Sequence, residues 1–248
     1  EAGHKVQLYD QADHAGGRCR SFHDSVLDRR IDNGNHLLLS ANHAALSFLE
    51  TVGASDSLVG PTRAAFPFID LKADRRWEVT FADGPVLGRI PLPPRGIPDV
   101  TLGQLLGAFR LRSAGPDDTI DQRLDTSTPL YKRFWHPLAV AALNTACDEA
   151  TARLLWPVVA ETVLKGGRNC RPLVAKDGLS ESFIDPALAW LQARGSSVTL
   201  GARLRSLEIV DNKLISLDFS GGRRVPVPGA AILALPPASA QRALPGLQ

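Results

Sequence analysis

The sequence predicts an α/β (α+β) fold in which one domain is interrupted by another. Three observations predict it: an alternating run at Lys5–Tyr9 that leads into an acid, a middle block with apolar residues at helical spacing, and strand patterns that return after Gly195. A period of two marks a half-buried strand and a period near 3.6 a helix, so the order of periods gives the order of elements. On this order the terminal parts share one sheet and the middle forms a cap.

Each element has its own signal. Residues 41–52, ANHAALSFLETV, place apolar side chains three and four apart and stop at Gly53, a glycine suited to a helix C-terminus. From about Phe66 to Ile90 the pattern becomes strand and turn: FPFIDL, RWEVTFADG and VLGRIPLP, with Asp83-Gly84 as the hairpin-type turn signal. Pro91, Pro93, Pro94 and Pro98 then make an extended connector, because proline cannot continue a helix or donate to a sheet. Thr101 to about Leu164 reads as helices, the last of them, DEATARLLWPVVAETVL, starting with Asp148 as its N-cap. LSESFIDPALAWLQARG reads as a helix closed by Gly195, and SSVTLGARLRSLEIVDNKLISLDFSGG as two or three strands. AAILALPP reads as a compact buried strand halted by its prolines.

The composition narrows the function classes. With 44% hydrophobic and 22% charged residues in 248, the chain can bury a substantial core. A net charge of +2, with arginines scattered, argues against nucleic acid as a partner and against an anionic membrane surface as a charge-driven one. Cys19, Cys147 and Cys170 show no CxxC or Cys/His ligand spacing and read as free thiols in a reducing, cytoplasmic compartment, with no metal site. No apolar run approaches the ~18 residues a membrane-spanning helix needs. The first residue is Glu, not Met, and the start of the gene product is expected upstream.

The chemistry-bearing residues cluster early. Asp10 ends the first strand, where a carboxylate can accept hydrogen bonds from ribose hydroxyls in a dinucleotide-binding unit. Gly3 ahead of it would let the chain reverse out of a preceding helix. Alone, Asp10 reads equally as a solvated acid on a surface strand. Gly16-Gly17-Arg18 changes the balance: the glycine N–H groups can line an anion, and the Arg18 fork suits phosphate. The rival reading is a flexible turn with an exposed arginine. Asp32-Asn33-Gly34 is a further turn signal, leading through Asn35 and His36 into an apolar run.

These blocks, VQLYDQADHAGGRCRS and DNGNHLLLSANHAALSFL, together with FWHPLAVAALNTACDEAT and DPALAWLQARGSSVTLGARLRSLEI, resemble the flavin-dependent amine oxidase/phytoene desaturase superfamily. Within it the chain is most similar to the squalene-associated FAD-dependent desaturase family, also described as the hydroxysqualene dehydroxylase family. The resemblance runs over nearly the whole chain. It implies a partial FAD/NAD(P)-binding Rossmann-like domain with an inserted sheet-plus-helical substrate domain. The FAD-binding domain would take residues 1–60 and 173–236, the substrate domain 61–172, and 237–248 would begin the return to it.

The resemblance also implies FAD as cofactor and assigns residues to it. Asp10 would hold the adenosine ribose, and Gly16, Gly17 and Arg18 would lie along the pyrophosphate and ribityl region. Gly34, Asn35, His36 and Leu37 would pass near the flavin ring, and the main chain of Leu204 would meet adenine. Strand Ile232–Pro237 would lead out of the FAD domain. The glycine-rich loop with which relatives begin does not precede Asp10, and relatives continue beyond Gln248. On that ground this polypeptide alone is expected to bind FAD weakly or not at all and to be poorly stable.

The implied reaction is removal of the hydroxyl of hydroxysqualene by reduced FAD, giving squalene for bacterial hopanoid synthesis. His36 is the neighbouring group whose ordinary pKa suits proton delivery to a leaving hydroxyl, with a hydrogen-bond spacer as its other reading. A long isoprenoid lipid substrate needs a long apolar cavity, for which Phe134, Trp135, Leu138, Leu143, Leu154, Leu155 and Trp156 form the candidate wall; the same spacing equally suits an ordinary helical core. Such a substrate points to peripheral contact at the inner face of the cytoplasmic membrane. Carotenoid-type desaturation, amine oxidation and a truncated non-catalytic relative are the alternatives. Oligomeric state is left open.

Overall fold

The computed structural model describes residues 3–34, 37–83 and 94–244. In chain order the strands and helices begin with β1 (Gln7–Tyr9), β2 (Ser21–Asp24), β3 (Arg29–Asp32), β4 (Leu38–Leu39) and α1 (His43–Thr51). Next come β5 (Leu58–Val59), β6 (Ala65–Asp70), β7 (Arg75–Thr80), α2 (Leu102–Leu106) and α3 (Ile120–Arg123). The middle continues with α4 (His136–Leu143), α5 (Ala152–Glu161), α6 (Gly167–Cys170) and β8 (Pro172–Ala175). The chain closes with α7 (Asp185–Ala193), β9 (Ser197–Thr199), β10 (Leu204–Val210), β11 (Lys213–Phe219), β12 (Arg224–Pro226) and α8 (Pro237–Ala243). Helix and sheet are mixed, as the order of periods predicts.

The chain divides into two compact units. The first takes residues 1–35, 52–54 and 177–248; the second takes 36–51 and 55–176. In the first unit β1 pairs in parallel with β9, so the two ends of the chain share a sheet. The β2–β3 hairpin and the antiparallel sheet β10–β11–β12 complete its strands. In the second unit β8 lies between β4 and β5, and β6–β7 forms a separate hairpin. Its helices enclose a core of Ile120, Leu130, Phe134, Trp135, Leu155 and Val159.

Two hairpins follow one plan. Asp24 accepts hydrogen bonds at Oδ1 from the N–H groups of Val26 and Leu27 (2.9 and 2.8 Å), and Asp70 does the same for Lys72 and Ala73 (3.0 and 3.1 Å). Each turn ends in an aspartate at positive φ, Asp28 (47°) and Asp74 (44°), and is followed by two arginines. Short polar side chains tolerate that conformation and bond their own backbone, which lets Asp replace glycine here. The turn joining FPFIDL to RWEVT is therefore Leu71–Asp74; Gly84 of the expected Asp83-Gly84 turn, and the third strand at 86–93 that it would lead into, lie outside the described residues, with Pro91 and Pro93.

Two other expectations are corrected. Helix α5 starts at Ala152 with Thr151 as N-cap, not at Asp148. The residues before it form a separate turn, with Glu149 N–H and Ala150 N–H both donating to Ala146 O (3.1 and 2.7 Å). Thr151 then bridges to Thr119 through Ile120 N–H to Ala150 O (3.1 Å) and Ala152 N–H to Asp118 O (2.8 Å) before α5 begins. ILALPP is not a strand: residues 230–235 carry no regular structure and Ile232 is 93% exposed. A strand exists through its ladder of neighbours, and none of the described strands pairs with this segment.

Helices also cross two prolines by widening. A π turn at Tyr131–Trp135 runs into α4 ahead of Pro137, and another at Ser180–Ile184 runs into α7 ahead of Pro186. Proline lacks an N–H and its ring clashes with the carbonyl four residues back, so the chain adopts longer bonds there: His136 N–H to Tyr131 O and Asp185 N–H to Ser180 O.

Candidate functional site

At the carboxyl ends of β1 and β9 the two departing chains run side by side. Asp10 N–H donates to Thr199 O (3.0 Å), Ala202 N–H to Asp10 O (2.7 Å), and Gly201 N–H to Ala12 O (2.7 Å). The Asp10 carboxylate accepts from Ala12 N–H at 2.9 Å, which pins it at the strand end. Ligands of parallel α/β sheets sit in the crevice outside this edge. Leu204, two residues beyond Ala202, opens β10 opposite Phe219, whose ring packs on Tyr9 at 4.7 Å. The structure thus brings Asp10 and Leu204 into one neighbourhood.

The diglycine turn divides its labour. Gly16 sits at φ +95°, and a Cβ there would lie 2.6 Å from Cys19 O and 2.8 Å from Ile184 Cγ1. Its glycine is required by packing inside the protein, not by an approaching ligand. Gly17, at φ +55°, faces open space. Arg18 is exposed, and among the described residues its guanidinium has no hydrogen bond or ion pair, so its donors are available. Its carbonyl accepts from Asn33 Nδ2 at 3.2 Å, which joins the turn to the Asp32-Asn33-Gly34 segment.

Gly34 is exposed, at φ +139°. Asn35 and His36 lie outside the described residues. Leu37 belongs to the second unit, is exposed, and precedes β4. Sequence reasoning missed a polar cluster beside the turn, made by Ser21, Asp32, Gly178, Ser180 and Glu181. The partners are up to 160 residues apart, so no local pattern links them; the only signal was the Asp177-Gly178 turn dipeptide.

The proposed apolar wall belongs to the core of the second unit. Phe134, Trp135 and Leu155 are buried in it, Leu138, Leu143 and Trp156 pack against it, and Leu154 is 61% exposed. Trp135 also lines a cavity of about 310 Å³, but Thr101, Arg110, Arg123, Asp125 and Thr128 share that lining, so it is no apolar tunnel. Burial pushes all three thiols up, Cys170 to about 12, and none has the low pKa of a reactive cysteine. Among the described residues no group of His, Cys, Asp or Glu could hold a metal, and no helix is long and apolar enough to cross a membrane.

Solved structures share this fold. An oxidoreductase from Methanosarcina mazei superposes with a TM-score of 0.63 at 16% identity, covering 91% of this chain and 52% of that one. A putative protoporphyrinogen oxidase from Exiguobacterium sp. 255-15 gives 0.53 at 16% identity, covering 98% and 56%. Residues 1–247 match the family described as flavin containing amine oxidoreductase, and the chain belongs to it. Among curated relatives, a hydroxysqualene dehydroxylase from Rhodopseudomonas palustris is 43% identical over all of this chain and 60% of its own length. One from Sinorhizobium fredii is 40% identical with the same coverage. A third, from Zymomonas mobilis, is 37% identical over 88% of this chain and 53% of its own. This chain thus spans about 60% of the first two relatives.

Proposed function

We propose that this chain forms part of an FAD-dependent oxidoreductase that removes the hydroxyl group of hydroxysqualene to give squalene. The observation that carries this reading is the identity of 43% and 40%, over the whole chain, with two proteins named for that reaction. The match to a probable zeta-carotene desaturase from Synechococcus elongatus, 26% identical over 85% of this chain, supports desaturation far less.

The residues present suit FAD on three observations. Asp10 lies at the carboxyl edge of a parallel strand pair, Gly17 faces open space, and the Arg18 guanidinium has no partner among the described residues. Asp10 would accept the ribose hydroxyls, Gly17 and Arg18 would line the pyrophosphate, and Gly16 would shape the turn. The Leu204 main chain would lie beside adenine, with Gly34, Asn35, His36 and Leu37 near the ring. When bound, reduced FAD supplies the hydride that the reaction consumes.

The protein's part is orientation, water exclusion and proton delivery. Ionising the C–O bond of an allylic alcohol leaves a delocalised cation, and water reaching it would restore the alcohol. His36 would hand its proton to the departing hydroxyl oxygen. A C30 isoprenoid alcohol is stored in lipid, which supports work at the inner face of the cytoplasmic membrane.

The test uses the full-length protein, loaded with FAD and reduced. It should convert hydroxysqualene to squalene by mass spectrometry; dehydrogenation of a carotenoid precursor, with no squalene formed, would overturn the reading. His36→Ala with FAD still bound should lower turnover by about 10²–10⁴-fold, the usual contribution of a general acid. Unchanged turnover would remove that role.

A further inference from the structure

We infer that Asp32 is a positioning residue for the cofactor-binding turn, clamping the end of β3 to the start of the helix that supports Gly16–Arg18. The inference rests on the FAD reading above and goes beyond it by naming what holds the turn in shape.

The clamp is built from residues distant in sequence. Asp32 Oδ1 accepts from Ser21 Oγ (2.6 Å) and from the N–H of Leu179 (2.9 Å). Ser21 grips the same segment directly: its N–H donates to Ser180 Oγ (2.8 Å), and its Oγ accepts from Ser180 N–H (3.1 Å). Arg30 holds Glu181 at 2.6 Å from the neighbouring strand position. Gly178 makes this approach possible, because at φ +134° a Cβ would sit 2.6 Å from both Ser21 Oγ and Glu181 Oε2. Leu179, Ser180 and Ser182 are buried, so an orphaned donor here would cost the full loss of its hydration.

Both supports of the turn depend on this clamp. Ile184, one helical turn beyond Ser180, fills the space that a Cβ on Gly16 would need. Asn33, next to Asp32, donates from Nδ2 to Arg18 O (3.2 Å) and from its N–H to Arg20 O (2.9 Å). The turn is thus held from two sides by residues whose positions Asp32 sets. The field of the carboxylate reaches the turn as well: after burial, Asp32 is what raises the Cys19 thiol above its ordinary pKa. A charged acceptor shared by two donors is stronger than a neutral one, which gives the acid its reason.

The test is FAD titration of full-length apoprotein by flavin fluorescence, with the visible spectrum of the bound flavin and the apoprotein Tm as parallel readouts. Asp32→Ala should weaken FAD binding about tenfold or more, the effect of leaving buried donors unmet beside the site. Asp32→Asn keeps an acceptor oxygen and should bind within about threefold of wild type. Should Asp32→Ala not fold, Ser21→Ala takes its place and should weaken binding in the same direction. Wild-type affinity in the alanine variant that folds, or equal losses in Ala and Asn, would overturn the clamp. Tight FAD binding without hydroxysqualene turnover would overturn the substrate reading and leave the clamp standing; no FAD uptake by wild type would overturn both.

Discussion

In the second unit Ile120, Leu130, Leu155 and Val159 are fully buried around Phe134 and Trp135, whereas the first unit buries Leu179, Ser180 and Ser182 beside the candidate site. The contrast is between apolar packing and directed polar bonds. Apolar burial is non-directional and scales with area, so many side-chain arrangements serve it. A cluster such as Ser21–Asp32–Ser180 has one workable geometry, and an unmet member costs more than a formed bond contributes. A cofactor would need that single arrangement, and the candidate site stands in the unit with the smaller apolar core.

The sharpest way to break this comparison is a cavity in the helical core. Leu155→Ala should lower unfolding free energy by about 2–5 kcal/mol in urea denaturation of the full-length protein. A loss under about 1 kcal/mol would mean that packing there is looser than its burial implies. The two adjacent glycines test the first unit. Gly16→Ala forces a Cβ against Cys19 O and Ile184, while Gly17→Ala meets only backbone strain of about 1–2 kcal/mol. Gly16→Ala should therefore be the more destabilising and should also weaken FAD binding; equal effects would erase the distinction.

A smaller effect comes from the Cys170 thiol, which burial raises from 9.0 to about 12. Below pH 9.0 the thiol is protonated in both states, so its contribution is fully present. As pH rises toward about 12 the unfolded chain ionises first and stability falls, by up to about 1.4 kcal/mol per pH unit. Cys170→Ala should lack this part of the alkaline slope when denaturation is followed from pH 8 upward. Smallest of all, Val26→Ala at the exposed β2–β3 tip should change stability by no more than about 0.5 kcal/mol.

What the sequence made legible follows the same division. Helix α1, the helical block and the strand β1 that leads to Asp10 were readable, because their periods are local and burial enforces them. Gly16-Gly17-Arg18 was readable as a turn, but which glycine serves packing depends on Ile184, a residue far along the chain. The start of α5 was misplaced for a similar reason, since the bridge between Thr119 and Thr151, distant in the chain, separates the turn at 146–150 from the helix. ILALPP looked like a strand by composition alone, and composition does not supply a neighbour to pair with. The Asp32 cluster was invisible because its partners meet only after the chain has made the whole second unit.

The π turns ahead of Pro137 and Pro186 carry a lesson about chain length. Each holds one more residue than an ordinary helical turn over the same stretch, with both flanks still helical. Changes in length are usually absorbed by surface connections; here a helix interior has room for them. Homologues that lose one residue in either segment, together with the proline, can keep an unbroken rod there, with the same side chains still facing inward on either side of that point.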